Sequence, residues 1–352
     1  DMEKILTIVI PTYNMQDYLR RCLDSLIVPE EQMQHLEVLV VNDGSKDNSS
    51  VIAHEYQDKY PDTFRVIDKE NNNYGSCINR GLKEALGKYI KILDADDWFD
   101  NIEFGKYLTV LFKLQYEIDM IVTSYTLQYA SDKTSEKKKP VEVEYLKIYD
   151  FASFSFSAHH SSHMLVMHAI TYRTELLRSN NYQQDTGISY TDMEYDMVPM
   201  LYVNKLLFVD VNLYQYFLGR EGQTVSQGVS SKSLKAYLKI YKTLSLKYID
   251  ILNWKQDIIT DNSRVVLLNL LTSLFCVALY YDSKTEKINS ELQGIYRFAK
   301  KMDPILLKKL RGIKSYYILP IFYIWEKFGL FCSSIYLHKI IDFVVWIKKK
   351  VL

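Results

Sequence analysis

Apolar residues in this chain fall into short continuous runs separated by stretches of helical spacing. Ile5–Ile10 is the first run, of the kind a strand buried on both faces requires, and Pro11-Thr12-Tyr13-Asn14 closes it. Tyr18, Leu19, Cys22, Leu23 and Leu26 then recur with a helical period, and Pro29 lies beyond them. Leu36–Val41 reads as a second buried strand ending in Asn42-Asp43-Gly44-Ser45. Asp47, Asn48 and Ser49 offer N-caps for a helix that runs to Tyr60 and stops at Pro61. Phe64–Ile67 reads as a third strand. The polar loop 71–76 leads into a helix over Cys77–Leu86, with Gly87 as its stop. Lys88–Leu93 is a fourth short strand, with Lys91 the one lysine inside its apolar run Tyr89–Leu93. Strand–helix alternation of this kind predicts an α/β fold, a largely parallel sheet with helices on its faces.

Ligands of such sheets bind outside the carboxyl ends of the strands, which places Pro11–Asn14, Asp43 and Asp94–Asp97 along one rim. Three carboxylates crowded at one strand end repel one another unless a cation joins them. A hard divalent ion tied to a diphosphate, Mg²⁺ or Mn²⁺, is the natural partner. The plain competing reading is a solvated acidic turn in which Asp97 or Asp100 caps the next helix. No G-x-G-x-x-G follows the first strand and no G-x-x-x-x-G-K-[ST] occurs, which argues against dinucleotide and P-loop sites.

Composition narrows the picture. The chain has 352 residues, room for about two domains. Its 43 Lys plus Arg balance 43 Asp plus Glu, so no overall field draws it to nucleic acid. The 29 Tyr and 15 Phe suit an aromatic core, with a surplus for sugar platforms or an interface. Cys22, Cys77, Cys276 and Cys332 show neither paired nor metal-type spacing, as expected of free thiols in a reducing compartment. The opening DMEKILTIVIP lacks the basic and long apolar regions of a signal peptide, so a cytoplasmic location is expected, including the inner face of the membrane.

The ordered series strand-PTYN, VVNDGSKDNS and INRGLKEALGKYIKILDADDW resembles the family 2 glycosyltransferases of GT-A fold, densely over about the first hundred residues. The resemblance implies a nucleotide-sugar donor, a divalent metal and inversion at the anomeric carbon. Carried over position by position, Pro11, Thr12 and Tyr13 line the base pocket, with Asn14 beside them. Asp43 accepts a hydrogen bond from the base, which for uracil is the imide N–H, and this favours a UDP-sugar. Asn73, Gly75, Asn79, Asp94 and Ala95 complete the donor site, and Asp96 binds the metal. Many members carry Ala-Arg-Asn where this chain has Cys77-Ile78-Asn79, so one phosphate contact is open, with Arg80 and Lys83 as the nearby cations.

Farther along, Glu103–Leu114 reads as a helix, and Met120–Tyr129 and Val141–Tyr145 as two strands joined by a charged tip, Ser131–Pro140. Phe151–His168 holds four of the seven histidines and reads as a loop and strand on the acceptor side of the cleft, where Trp98, His163 and His168 are the candidates. By resemblance Asp192 is the catalytic base, with Thr191 where the family usually has Glu and Asp196 as the rival carboxylate. A helix N-terminus there is expected to keep Asp192 ionised. In Leu218–Gln227, by resemblance a loop that closes over the donor phosphates, Arg220 is either a diphosphate ligand or a surface residue. From about Ser230 the pattern becomes helical. Val265–Tyr281 is short for a membrane span, and the aromatic segment Ile318–Leu352 ends in a Lys cluster. Those last helices suit packing, a homo-oligomer interface or an anionic membrane surface. The expected organisation is a catalytic domain over 1–229, with a nucleotide-binding half (1–100) and an acceptor half (101–229), then a helical domain over 230–352. The function expected is metal-dependent transfer of a sugar to a hydroxyl of a glycan, lipid-linked or protein-linked acceptor. Two alternatives are a catalytically silent scaffold of the same fold and a sugar nucleotidyltransferase. The latter is disfavoured because PTYN has neither glycine nor a basic residue to hold a triphosphate.

Overall fold

The structure is a computed structural model that describes residues 3–220 together with 223, 236, 239, 240, 243, 244, 262, 297 and 308. The chain divides into two compact units, Asp1–Ser226 with Asp257–Ser263, and Gln227–Gln256 with Arg264–Leu352. In the second, Ala236, Ile240 and Leu244 are helical and buried. The apolar run Val265–Tyr281, the segment Ile318–Leu352, Cys276 and Cys332 lie outside the described residues. No helix among the described residues is long and apolar enough to cross a membrane.

The first unit is built on one ten-stranded sheet. In chain order its elements are β1 (Leu6–Thr12), α1 (Leu19–Asp24), α2 (Glu30–Met33), β2 (Leu36–Asn42), α3 (Ser49–Lys59), β3 (Phe64–Asp68), α4 (Asn73–Glu84), β4 (Tyr89–Ile92), β5 (Trp98–Phe99) and α5 (Asn101–Lys113). They continue with β6 (Met120–Tyr129), β7 (Ser135–Lys138), β8 (Ile148–Asp150), β9 (Ile170–Arg173), α6 (Thr174–Ser179), α7 (Asp192–Met197) and β10 (Lys205–Leu218). Every residue of β1, β2 and β4 is buried, as their predominantly apolar runs predict, and this includes the polar Thr7, Glu37 and Lys91. Each such Ile, Leu or Val contributes roughly 1.5–3 kcal/mol on leaving water.

The strand order is β3-β2-β1-β4-β9-β6-β10-β5, with β7 on β6 and β8 on β10. β1 lies between β2 and β4, parallel to both, in register Leu6↔Leu36 and Leu6↔Tyr89. The chain therefore winds outward through β2 and β3, then crosses back to β4 on the other side of β1. That reversal opens a crevice at the carboxyl ends of β1 and β4. Helix α4 makes the return crossing and presses close on the sheet: a Cβ on Gly81 would lie 2.4 Å from Val9 Cγ1.

The largely parallel expectation holds for β1–β4 and for β6 with β10. The sheet as a whole is mixed, because β9 runs antiparallel to both β4 and β6 and joins the two parallel parts. Val141–Tyr145 is not a strand. The partner of β6 is β7, inside the expected charged tip. Asp132 Oδ1 accepts from the N–H and hydroxyl of Thr134, and Lys133 takes φ 57°, so the chain turns at once and never reaches the later segment. The stretch 151–168 is turns and a short 3₁₀ segment, and the strand expected there begins only at Ile170.

Candidate active site

Strand β4 ends at Ile92, and a turn closed by Asp97 N–H on Asp94 O (3.0 Å) bunches three carboxylates. One oxygen from each of Asp94, Asp96 and Asp97 lies within 4.8 Å of the others. The competing reading holds in one part, since Asp100 caps α5 through Glu103 N–H (3.0 Å), but the turn is not solvated: Asp97 is fully buried and Asp96 is buried too. Asp97 accepts Tyr214 Oη–H (2.6 Å) and Phe217 N–H (2.7 Å), which ties the turn to β10. Burial, then the charges of Asp96 and Asp94, push its carboxyl well up. Asp94 accepts Tyr74 Oη–H (2.8 Å), and burial followed by the Asp96 charge pushes it up to about 7. Asp96 accepts Arg220 Nε–H (2.5 Å), so a guanidinium already stands as a positive counter-charge on the cluster. Trp98 lies under Arg21, whose guanidinium is 3.9 Å from the ring and donates to Asp96 O (2.8 Å).

At the end of β1, Pro11 and Thr12 are buried, while Tyr13 is 46% exposed at the rim. Asn14, at φ 53°, pins this loop to the next: its N–H donates to Ser45 Oγ (3.0 Å) and its Oδ1 accepts Lys46 N–H (2.7 Å). Asp43, at the end of β2, is buried and accepts both Lys69 Nζ–H and Asn72 N–H (3.0 Å) on Oδ1. Lys69 donates also to Ser76 Oγ (2.9 Å). Lys69 was missed by sequence reasoning. Its only signal is a lysine just past the third strand, and nothing local ties it to Asp43. Asn73, at φ 63°, begins α4 beside this cluster. Ala95 is buried inside the acidic turn.

Two residues expected in the donor site contact the segment 184–185. A Cβ on Gly75 would lie 2.1 Å from Asp185 O, so this glycine serves a backbone crossing. Asn79 spends both amide atoms on Gln184: Nδ2–H donates to its O (2.9 Å) and Oδ1 accepts its N–H (2.8 Å). The arginine absent at Ile78 is not replaced from nearby. Ile78 is buried, Arg80 pairs with Glu84 (2.9 Å) and Lys83 is exposed.

Asp192 is the first residue of α7, near enough for its charge to act on both Asp94 and the Tyr74 hydroxyl. Burial raises its carboxyl above the usual range and outweighs the N–H groups of Asp192 and Met193, which lower it. The helix end does favour the ionised form, but a helix of six residues has a weak dipole and its effect is the smaller one. A raised value still suits a proton acceptor near neutral pH. Asp196 is more deeply placed. Burial and Asp192 push it well up, and its Oδ1 has no hydrogen-bond partner among the described residues. Where the family usually has Glu, Thr191 Oγ1–H reaches only the Gln184 side chain (3.3 Å), and Glu194 accepts Asp185 N–H (2.6 Å).

His163 is exposed, with Nε2 on Lys139 O (2.9 Å). His168 stacks on Tyr216 (ring centroids 4.1 Å) and meets the edge of Tyr214 (4.8 Å). Burial, then Lys91, pushes it down to about 3, which makes it a neutral aromatic wall. Lys91 itself is fully buried and donates to the carbonyls of His168 and Ile170 (3.0 Å each). Tyr74, Tyr214 and Tyr216 are further residues the sequence did not single out as ligands of the site. For the last two the signal was their alternation on one face of a strand.

Residues 7–179 match the model of glycosyl transferase family 2. The chain is 27% identical over 248 residues to the uncharacterized glycosyltransferase YibD of Escherichia coli K12, covering 68% of this chain and 70% of that protein. It is 28% identical over 216 residues to glycosyltransferase GlyA of Streptococcus pneumoniae, covering 60% of this chain but 30% of the relative. The fold is shared with the crystal structure of S. aureus TarS 1–349 in complex with UDP-GlcNAc, at a TM-score of 0.66 and 18% identity over 94% of this chain and 89% of that one. The GT-A fold expected from the opening motifs is therefore the fold observed.

Proposed function

The chain belongs to glycosyl transferase family 2, and from that premise we propose that it moves a sugar from a UDP-sugar to an acceptor hydroxyl with inversion, in the building of a surface polysaccharide or other glycoconjugate. The observation that carries this reading is the bunching of the Asp94, Asp96 and Asp97 carboxylates at the end of β4, with Asp192 near enough for its charge to act on Asp94. The donor set fits a hard divalent ion: all its atoms are carboxylate oxygens, mutually repelling and part-neutralised by Arg220. Asp96 and Asp94 would hold Mg²⁺ or Mn²⁺, and Asp97 stays engaged by β10. Bound there, the ion offsets charge on the departing nucleoside diphosphate.

The chain's own residues do the rest. Thr12 and Tyr13 flank the base, and Asp43, oriented by Lys69, accepts its imide N–H. Arg220 lies close enough to exchange Asp96 for a diphosphate oxygen, with bidentate geometry available to it. Asp192 takes the proton of the acceptor hydroxyl as that oxygen attacks the anomeric carbon. Attack comes from the face opposite the leaving diphosphate, so one displacement inverts the centre. A similar fold holds UDP-GlcNAc in TarS, which supports UDP as the nucleotide. Catalysis is assigned to residues 1–229, and acceptor or partner contacts to 230–352.

The test is UDP release from a panel of UDP-sugars with Mn²⁺, alongside calorimetry with UDP. Asp192→Asn should lower kcat by about 10²–10⁴-fold and leave UDP affinity in place, while Asp96→Ala should weaken UDP binding in Mn²⁺. Absence of both release and UDP binding would return the chain to the silent-scaffold reading.

A further inference from the structure

Asn79 sits on α4, in the nucleotide-binding half, yet both its amide atoms are committed to the backbone of Gln184. The pair mimics a two-hydrogen-bond rung of a sheet, so the segment it holds is fixed in position and direction. The same segment is joined to α4 at two more points. Asp185 O packs where a side chain on Gly75 would go, and Gly187 N–H donates to Asn72 O (3.1 Å). From there the connections pass into α7. The Asp185 N–H donates to Glu194 Oε2 (2.6 Å), and Thr191 Oγ1–H donates to Gln184 Oε1 (3.3 Å). Asp192 lies between those two contacts. At the other end Asn72 N–H donates to Asp43. One hydrogen-bonded path thus runs from the base-recognition carboxylate to the start of the helix that carries the proton acceptor.

We propose that Asn79 is a positioning residue for Asp192: it clamps the segment 184–191 to α4 and so sets where the Asp192 carboxylate stands relative to the donor, without touching the donor itself. The assignment rests on the reading that Asp192 takes the acceptor proton. Loss of the clamp should misplace the carboxylate by an ångström or so, which costs roughly 10- to 100-fold in turnover. Donor affinity should stay as it is, because Asp43 and the acidic turn are held by other bonds.

The experiment uses the full chain and its Asn79→Ala and Asn79→Asp variants. Three quantities are measured: UDP affinity by calorimetry in Mn²⁺, kcat and KM for UDP release from a turned-over UDP-sugar, and hydrogen exchange of the Gln184 amide. The expected result for Asn79→Ala is UDP affinity within twofold of wild type, kcat down at least tenfold, and faster exchange at Gln184. Asn79→Asp keeps an acceptor for the Gln184 N–H but sets a carboxylate oxygen against Gln184 O, so its kcat should fall at least as far as that of Asn79→Ala while UDP affinity holds and its Gln184 amide stays protected. Should Asn79→Ala fail to fold, the aspartate variant carries the same split. A tenfold loss of UDP affinity with kcat unchanged would overturn the assignment and restore Asn79 as a donor ligand. Unchanged kcat, KM and exchange would overturn it as well. A wild-type chain that neither binds UDP nor releases it would instead defeat the functional reading beneath, and the assignment would fall with it.

Discussion

Replacing Gly75 by alanine puts the crossing of α4 and the 184–185 segment to a quantitative test. The added Cβ would stand 2.1 Å from Asp185 O and 3.1 Å from Asp185 C, inside the 3.0 Å limit that real Cβ atoms keep for the first of these. Backbone, not a movable side-chain tip, must retreat, by roughly 1 Å in a packed interior. That retreat stretches both bonds between Asn79 and Gln184 beyond hydrogen-bonding range, at a net cost of about 1 kcal/mol each. Overpacking adds about 2 kcal/mol. Alanine returns about 1 kcal/mol, since the position lies inside a helix and alanine is the better helix former. The expected balance is about 3 kcal/mol of destabilisation, a large part of a typical domain's stability. Gly105 is the control. It too lies inside a helix, α5, but its Cβ would meet only the tip of Gln32, at 3.4 Å. Gly105→Ala should therefore stabilise by about 0.5–1 kcal/mol, through helix propensity alone. Urea unfolding followed by circular dichroism gives both values, provided the slopes agree. If Gly75→Ala were within 1 kcal/mol of wild type, or matched Gly105→Ala, the close crossing would be wrong.

Two further outcomes depend on pH. With Asp94 pushed up to about 7, a proton competes with the metal below that value. Apparent Mn²⁺ affinity should fall by about tenfold per pH unit on going below pH 7 and level off above it, and calorimetry giving the same affinity at pH 6 and pH 8 would contradict this. Lys91, pushed down to about 7 by burial from an unfolded value of 10.5, acts on stability. Between those two values the unfolded chain holds a proton that the native one has lost, so stability rises with pH, by about 2 kcal/mol from pH 7 to pH 9, and is flat below. Lys91→Met should remove that rise, seen as melting curves at the two pH values that no longer differ by it. Its general cost at high pH reflects the carbonyls of His168 and Ile170 left without a donor.

Much of the first hundred residues was legible because their strands are buried on both faces. Ile5–Ile10 and Leu36–Val41 each hold a single polar residue, Thr7 and Glu37, too few to make the polar face of a helix, and their bounds agree closely with β1 and β2. The acidic turn was legible from its place at a strand end. The second half was read less well for a physical reason. Its sheet is closed by β9, a four-residue strand lying antiparallel between β4 and β6, and strands that short carry little periodicity. Asn79 and Gly75 looked like donor ligands because the motif around them is a donor motif. Their partners are a backbone segment about a hundred residues downstream, beyond the reach of local pattern. Asp192 was reached through resemblance, and the local helix end did not reveal that burial, a tertiary quantity, outweighs it and raises the carboxyl.

The order of apolar runs and turn residues was enough to determine a wound α/β sheet, the rim on which Thr12, Asp43 and Asp96 appear, and the acidic chemistry of that rim. Only the folded chain decided which carboxylate is tied down by Tyr214, which is offset by Arg220, and which lysine orients Asp43. Side-chain type and strand ends are local properties and are written in the sequence. Charge offset, desolvation and close crossing depend on what comes near in space, and segments far apart in the chain meet only once the sheet has closed.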